Sequence, residues 1–207
     1  MKKITFFLLA TIFFVSCAGN IYQTQEYLQL TGKTVFFGKL MDFDSGQYGM
    51  ATLSSLNFIS SEVLKLPDCA EPRSANIQVV ELIKDLAYSL VNVHFDWTSP
   101  KYRIPQIEKL LKRLNALDLP TIILSDYNLT FESKSLKVFD KYNYTAVKKG
   151  INSLTWNAES PTMKIDHVYY KSTSSFLIEP QSIEVLNEPN ASDQRPVVAQ
   201  LKLTLLN

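Results

Sequence analysis

Two short polar runs carry the side chains best suited to chemistry in this chain. Ser125-Asp126-Tyr127-Asn128 closes the apolar stretch Pro120 to Leu124, and Ser192-Asp193-Gln194-Arg195-Pro196 precedes the last apolar run. A carboxylate there can hold a hydrated cation or take up a proton, and an amide can donate to an oxyanion. His94, closing the run Tyr88 to Phe95, and Asp166, heading Ile165 to Tyr170, are two further candidates. Each has a plainer reading. Asx side chains after a strand also cap turns, a lone histidine at a strand end is often simply packed and hydrogen-bonded, and Asp166 can be an ordinary buried polar residue. His167 follows Asp166 directly and points to the opposite strand face, so it does not stand in for a base.

Read in chain order, these residues extend into a longer pattern. Gly46-Gln47-Tyr48-Gly49-Met50-Ala51-Thr52-Leu53-Ser54 comes first, then Val91-Asn92-Val93-His94-Phe95-Asp96, then Arg103 and Gln106 on a helix-like run. The Asp126/Asn128 loop follows, then Lys164-Ile165-Asp166-His167-Val168, then Ser192 to Pro196. This series resembles the endonuclease/exonuclease/phosphatase family of metal-dependent phosphoesterases, over roughly residues 22 to 207. The resemblance implies a two-sheet α/β sandwich with its site at the loops along one sheet edge. It implies Asp193 as a metal ligand for Mg2+ or Mn2+, Asp126 orienting the attacking water, and Asn128 donating to a phosphate oxygen. It implies His94 touching the phosphate or assisting the leaving group, and Asp166 polarising a histidine at position 194.

The chain departs from that family in two places. Position 194 is Gln194, which cannot take up a proton at neutral pH. The family's opening strand and its Gln-Glu metal-binding strand have no counterpart either, because residue 20 passes almost directly into the helix-like Tyr22 to Thr31. The N-terminal strands are therefore expected to be missing, and Glu26, on that helix, reads as a solvated residue. Two function classes follow from the resemblance. One is an exported phosphoesterase with weak or lost activity and a weakly bound ion; the other is a non-catalytic relative, a binding module or a shortened gene product. The substrate is a phosphate ester of unspecified type.

The leader is plain. Lys2 and Lys3 precede the apolar run Ile4 to Val15, too short to span a bilayer comfortably, and small residues Ser16-Cys17-Ala18-Gly19 close it. Residues 1–17 are expected to be a lipoprotein-type export signal ending at an acylated Cys17, with simple secretion as the alternative. The protein would then be lipid-anchored in the cell envelope. Cys69 has no partner once Cys17 is acylated, so no intramolecular disulfide is expected.

The remaining chain suits one domain. About 190 residues are left, enough to bury a core as a single unit, and a monomer is expected. The formal charge is +1, and losing Lys2 and Lys3 makes it −1. Nucleic-acid binding leaves a clustered Lys/Arg footprint, and Lys148-Lys149 does not make one. Apolar residues at Ile104, Ile107, Leu110, Leu111, Leu114 and Leu117 recur at helical spacing and predict an amphipathic helix over Pro100 to Leu117. β-Branched and aromatic runs predict strands at 34–37, 48–53, 58–66, 76–83, 88–95, 121–124, 165–170, 183–186 and 197–205.

Overall fold

The computed structural model describes residues 4–12, 21–43, 45–84, 86–148, 154–190 and 192–206. Its frame is a mixed six-stranded sheet of β4 (Phe58–Lys65), β5 (Ser74–Ile83), β6 (Leu86–His94), β7 (Thr121–Asp126), β8 (Thr145–Ala146) and β9 (Asp166–Lys171), in the order β4-β5-β6-β7-β9-β8. Strands β6 and β7 are parallel, and helix α2 (Pro100–Leu117) makes the crossover between them that a parallel pair requires. Ser99 caps α2, its hydroxyl accepting from the Lys101 N–H, with Pro100 in the first turn and Asp118 left-handed at the far end. Ile107, Leu110, Leu111 and Leu114 form the helix's buried stripe, as its periodicity requires.

Alternation along the strands divides the core in two. Val91 and Val93 of β6 point to the α2 side, where they meet Ile107, Leu111, Phe139 and Tyr169, together with Tyr127 from the loop after β7. Leu90 points the other way, with Tyr88, Ile122 and Val168, against Ile178, Val197, Ala199, Leu201 and Leu203. Those last five come from the second layer, β10 (Phe176–Val185) and β11 (Val197–Leu205). The result is a sheet-on-sheet sandwich with helices outside.

The second layer comes in two pieces. β11 lies between β10 and β1 (Ile4–Ile12), while β2 (Thr34–Phe43) and β3 (Gly46–Ser54) form a separate two-stranded sheet among the described residues. The apolar run that reads as an export leader is thus β1, paired antiparallel with β11 from Ile4↔Leu205 to Ile12↔Val197. Cys17 lies outside the described residues. Helix α1 (Ile21–Thr31) carries Glu26 exposed, as the sequence indicates. Strands β2 and β10 run longer than their composition predicts. In each, a bulge lets the ladder continue past a residue that argues against a strand: Lys39/Met41 after Gly38, and Pro180/Ser182.

The two-stranded hairpin is seated by a pair of asparagines. Asn76 of β5 and Asn92 of β6 are register partners, and their amides donate to consecutive carbonyls of β3, Met50 O at 2.8 Å and Ala51 O at 3.0 Å. Gly38 makes this approach possible, since a Cβ there would collide with the Asn76 amide. Gly38→Ala should therefore lift the hairpin from its seat and cost about 1–3 kcal/mol of stability. Urea unfolding of Gly38→Ala beside the unsubstituted chain checks this.

Candidate active site

Three neighbouring strands deliver three polar residues to one rung. His94 ends β6 and registers with Asp126, the end of β7, which registers with Asp166, the start of β9. They continue the Leu90 and Leu124 side of the sheet, so they emerge at its edge between the two layers. Below them Ser125, on the opposite face, is anchored by its hydroxyl to the Val93 carbonyl.

The loop after β7 turns two side chains back onto that rung. The Asp126 carboxylate accepts from the Asn128 N–H at 2.8 Å, an Asx turn, and Asn128 sits at φ 51°, a left-handed conformation asparagine tolerates. The Asn128 amide then donates to Phe95 O at 3.0 Å and meets His94 Nε2 at 2.9 Å. With the amide donating, Nε2 is the acceptor and the ring proton is assigned to Nδ1. Tyr127 alternates inward, stacking among Phe95, Phe139, His167 and Tyr169. His167 is buried on that far side, its Nε2 bonded to Leu129 O, which confirms its separation from the site.

Gln194 reaches the same carboxylate from the second layer. Its amide Nε2 donates to Asp126 Oδ2 at 2.7 Å. The resemblance pairs position 194 with Asp166 instead; here neither Asp166 oxygen meets a partner in bonding geometry, although the Thr155 hydroxyl is near. The loop carrying Gln194 is tied to residues 155–158: Arg195 N donates to Thr155 O, Ala158 N to Asp193 O, and Arg195 Nε to Ala158 O. Asp193 is exposed, its carboxylate accepting from the Ser192 hydroxyl. So His94, Asp126, Asn128 and Gln194 form one network, Asp166 lies beside it, and Asp193 stands outside it.

Electrostatics follow from burial. Burial, then the Arg73 charge, lowers His94 to about 3, so the imidazole is neutral and its 3.5 Å approach to Asp126 is a polar contact, not an ion pair. Burial raises Asp126 to about 6, against the opposing bonds from Gln194 and Asn128. Burial and then the Asp126 charge hold Asp166 well above the carboxylate range. Arg73, which the sequence alone leaves indistinguishable from a surface arginine, is buried, 5% exposed, and paired with Glu71 at 2.9 Å. Arg103 and Gln106 are also buried and hold the main chain after His94, through Asp96 O and Asp96 N.

The assembled residues offer a divalent ion few ligands. Among the described residues no group of three or more His, Cys, Asp or Glu is placed to hold one. Asp193 alone is a thin donor set even for Mg2+, which uses one or two carboxylates and several waters.

Solved structures share this fold. An endonuclease/exonuclease/phosphatase family protein from Bacteroides thetaiotaomicron superposes with a TM-score of 0.74 at 18% identity, covering 88% of this chain and 80% of that one. A mannosyl-6-phosphatase from the same organism gives 0.73 at 18% identity, over 87% and 81%. The human Nocturnin catalytic domain, with a bound sulfate, gives 0.68 at 18% identity, over 86% and 74%. By sequence, no family model and no curated protein matches the chain. The protein has the fold of the endonuclease/exonuclease/phosphatase family.

The buried acids set a pH dependence. A carboxyl whose pKa is raised on folding binds a proton more readily when folded, so its contribution to stability falls as pH climbs from the unfolded value through the folded one. Asp126 alone, moved from 3.8 to about 6, costs on the order of 3 kcal/mol above that window. Asp166→Asn keeps the shape without the ionisable proton. It should stabilise the protein more at alkaline than at acidic pH, read from urea unfolding at pH 8 and pH 5.

Proposed function

We propose that this chain is an exported phosphoesterase of the endonuclease/exonuclease/phosphatase type whose hydrolytic activity is weak or lost. The observation that carries the reading is the network of His94, Asp126, Asn128 and Gln194 at one sheet edge. It supplies neutral donors for an anionic oxygen and one carboxylate to orient water. Gln194 donates through its second N–H and Asn128 once it releases His94 Nε2, the His94 ring contacts the ester, and Asp126, poised near 6, is the group able to accept a proton close to neutrality.

Gln194 also favours a second reading, a non-catalytic relative. An amide cannot exchange protons at neutral pH, and this one is already engaged with Asp126. A positioned general base is typically worth about 10²- to 10⁴-fold. Mg2+ or Mn2+ would be bound weakly, by Asp193 and water, and would supply charge neutralisation at the phosphoryl oxygens. Cys17 would be acylated and hold the protein in the cell envelope. Among the described residues no helix is long and apolar enough to cross a membrane.

Activity tests separate the readings. With bis(4-nitrophenyl) phosphate and magnesium or manganese, the phosphoesterase reading expects slow turnover that rises with pH through about 6 as Asp126 ionises and vanishes in Asp126→Asn. No turnover above buffer supports the non-catalytic relative, and rates in the ordinary enzymatic range of about 1 to 10³ per second would show that the base at 194 is dispensable. Gln194→His alone should restore less than about tenfold, because the ligand set stays short of carboxylates. For location, Cys17→Ala should abolish lipid labelling and release the protein from the membrane fraction.

A further inference from the structure

A second concavity lies on the α2 side of the six-stranded sheet. It opens between the short helix α3 (Lys137–Lys141) and strands β8 and β9, with a volume of about 350 Å³. Small-molecule sites span roughly 300–1,000 Å³. Phe131 and Tyr169 supply ring faces to it, and Tyr169 belongs to the core under α2, so this concavity is separate from the Asp126 network between the layers. Glu132, Lys137, Asp140 and Lys148 supply two charges of each sign, all exposed. Among the described residues none of the four is in an ion pair. The Lys148 ammonium stands 5.4 Å from the centre of the Phe131 ring, and the buried Lys164 ammonium stands 5.9 Å from the same ring. At the other end burial and then the Asp140 charge hold the Tyr169 hydroxyl above its ordinary range. The Glu132 carboxylate turns to the Thr130 hydroxyl, whose bond lowers its pKa. Cations thus gather at Phe131, and the Asp140 carboxylate faces Tyr169.

We propose that this concavity binds a zwitterion with an aromatic body, the chemistry of an aromatic α-amino acid. The ligand ring lies against Phe131 and Tyr169, its carboxylate turns to Lys148 and its ammonium to Asp140. The four exposed charges of the wall cancel, so a net anion meets Glu132 and Asp140 while a net cation meets Lys137 and Lys148. A ligand carrying both signs gains at both ends. Ring faces favour an aromatic body, packed offset or edge-on, over an aliphatic one. An extended peptide is poorly served, because β8 offers only the Thr145–Ala146 edge to pair with. Phe131 lies in the loop that presents Asn128 and packs on His167, with ring centroids 4.1 Å apart, which sets the ligand beside that loop. None of the binding residues belongs to the His94–Asp126 network, so the site stands apart from the phosphoesterase reading.

Nuclear magnetic resonance titration of the isotope-labelled full chain with L-phenylalanine tests this. The expected result is saturable shifts of the Phe131, Glu132 and Tyr169 amides, with a dissociation constant on the order of 1 mM. Hydrocinnamate, which lacks the ammonium, and phenethylamine, which lacks the carboxylate, should each bind at least about threefold more weakly, the scale of one exposed ion pair. The charges are then crossed: Lys148→Gln should bind phenylalanine no better than phenethylamine, and Asp140→Asn no better than hydrocinnamate. The absence of a saturable shift at these amides up to about 10 mM ligand would overturn the site. Either singly charged analogue binding as tightly as phenylalanine would overturn the zwitterion, and L-alanine doing so would overturn the aromatic body. The unsubstituted chain decides all three outcomes even where a variant misfolds.

Discussion

The register of β6, β7 and β9 is the constraint on which the site depends. One rung across three strands sets His94, Asp126 and Asp166 side by side. A one-residue slip in any of the three would turn its polar residue into the aromatic core under α2 and bring a core residue out. That slip is blocked from both faces. Val91, Val93 and Ile123 are locked against the helix, while Leu90, Ile122 and Val168 are locked against β10 and β11. Hydrophobic packing on two sides thus holds in place an arrangement that electrostatics alone would disperse.

The cost of that arrangement is visible in the two carboxyls. Asp126 is offset by three donors or charges, the Gln194 amide, the Asn128 N–H and Arg73. At Asp166 the nearby Thr155 hydroxyl and the Lys164 charge oppose burial and the Asp126 charge, which still hold the carboxyl well above the usual range. A glutamine at 194 makes physical sense as a neutral donor for Asp126, because it stabilises the carboxylate without adding a charge to a buried site. Under the phosphoesterase reading proposed above, the same residue leaves position 194 without a proton acceptor, because an amide does not exchange protons near neutrality. On that reading, stability at the rung and proton transfer through position 194 would pull in opposite directions, as they commonly do at functional sites.

Much of this was legible in the chain and some was not. The period of Ile104 to Leu117 placed α2, and β-branched and aromatic runs placed β5 and β6, because both signals are local. The polar run Asp126-Tyr127-Asn128 announced a turn, and the turn is what brings Asn128 to His94. The choice Gln194 makes between Asp126 and Asp166 depends on how two layers meet, which no local pattern records. Arg73, isolated in sequence, gave no sign of burial. The Asn76 and Asn92 pair is separated by a whole hairpin, and only the ladder shows that the two amides grip neighbouring carbonyls. Pro180 hid half of β10, since a proline argues for an edge or a bulge and both are present.

Ile4 to Ile12 shows how one pattern can serve two structures. A short uninterrupted apolar run has no period to read, so composition alone cannot separate a leader from a buried strand. In the fold it pairs with β11 along its whole length, and its last rung, Ile12↔Val197, lies three residues beyond Gln194. β11 keeps β10 on its other side and its buried face of Val197, Ala199, Leu201 and Leu203 whether or not β1 is present. The bonds that β1 adds are at the outer edge, where strand ends fray and loops take their freedom. Processing at Cys17 would remove those bonds and turn β11 into an edge strand. Because β1 pairs with β11 from end to end, its loss would reach the start of β11, next to the loop that carries Gln194 to Asp126, so the N-terminal strand and the site are joined through a single strand.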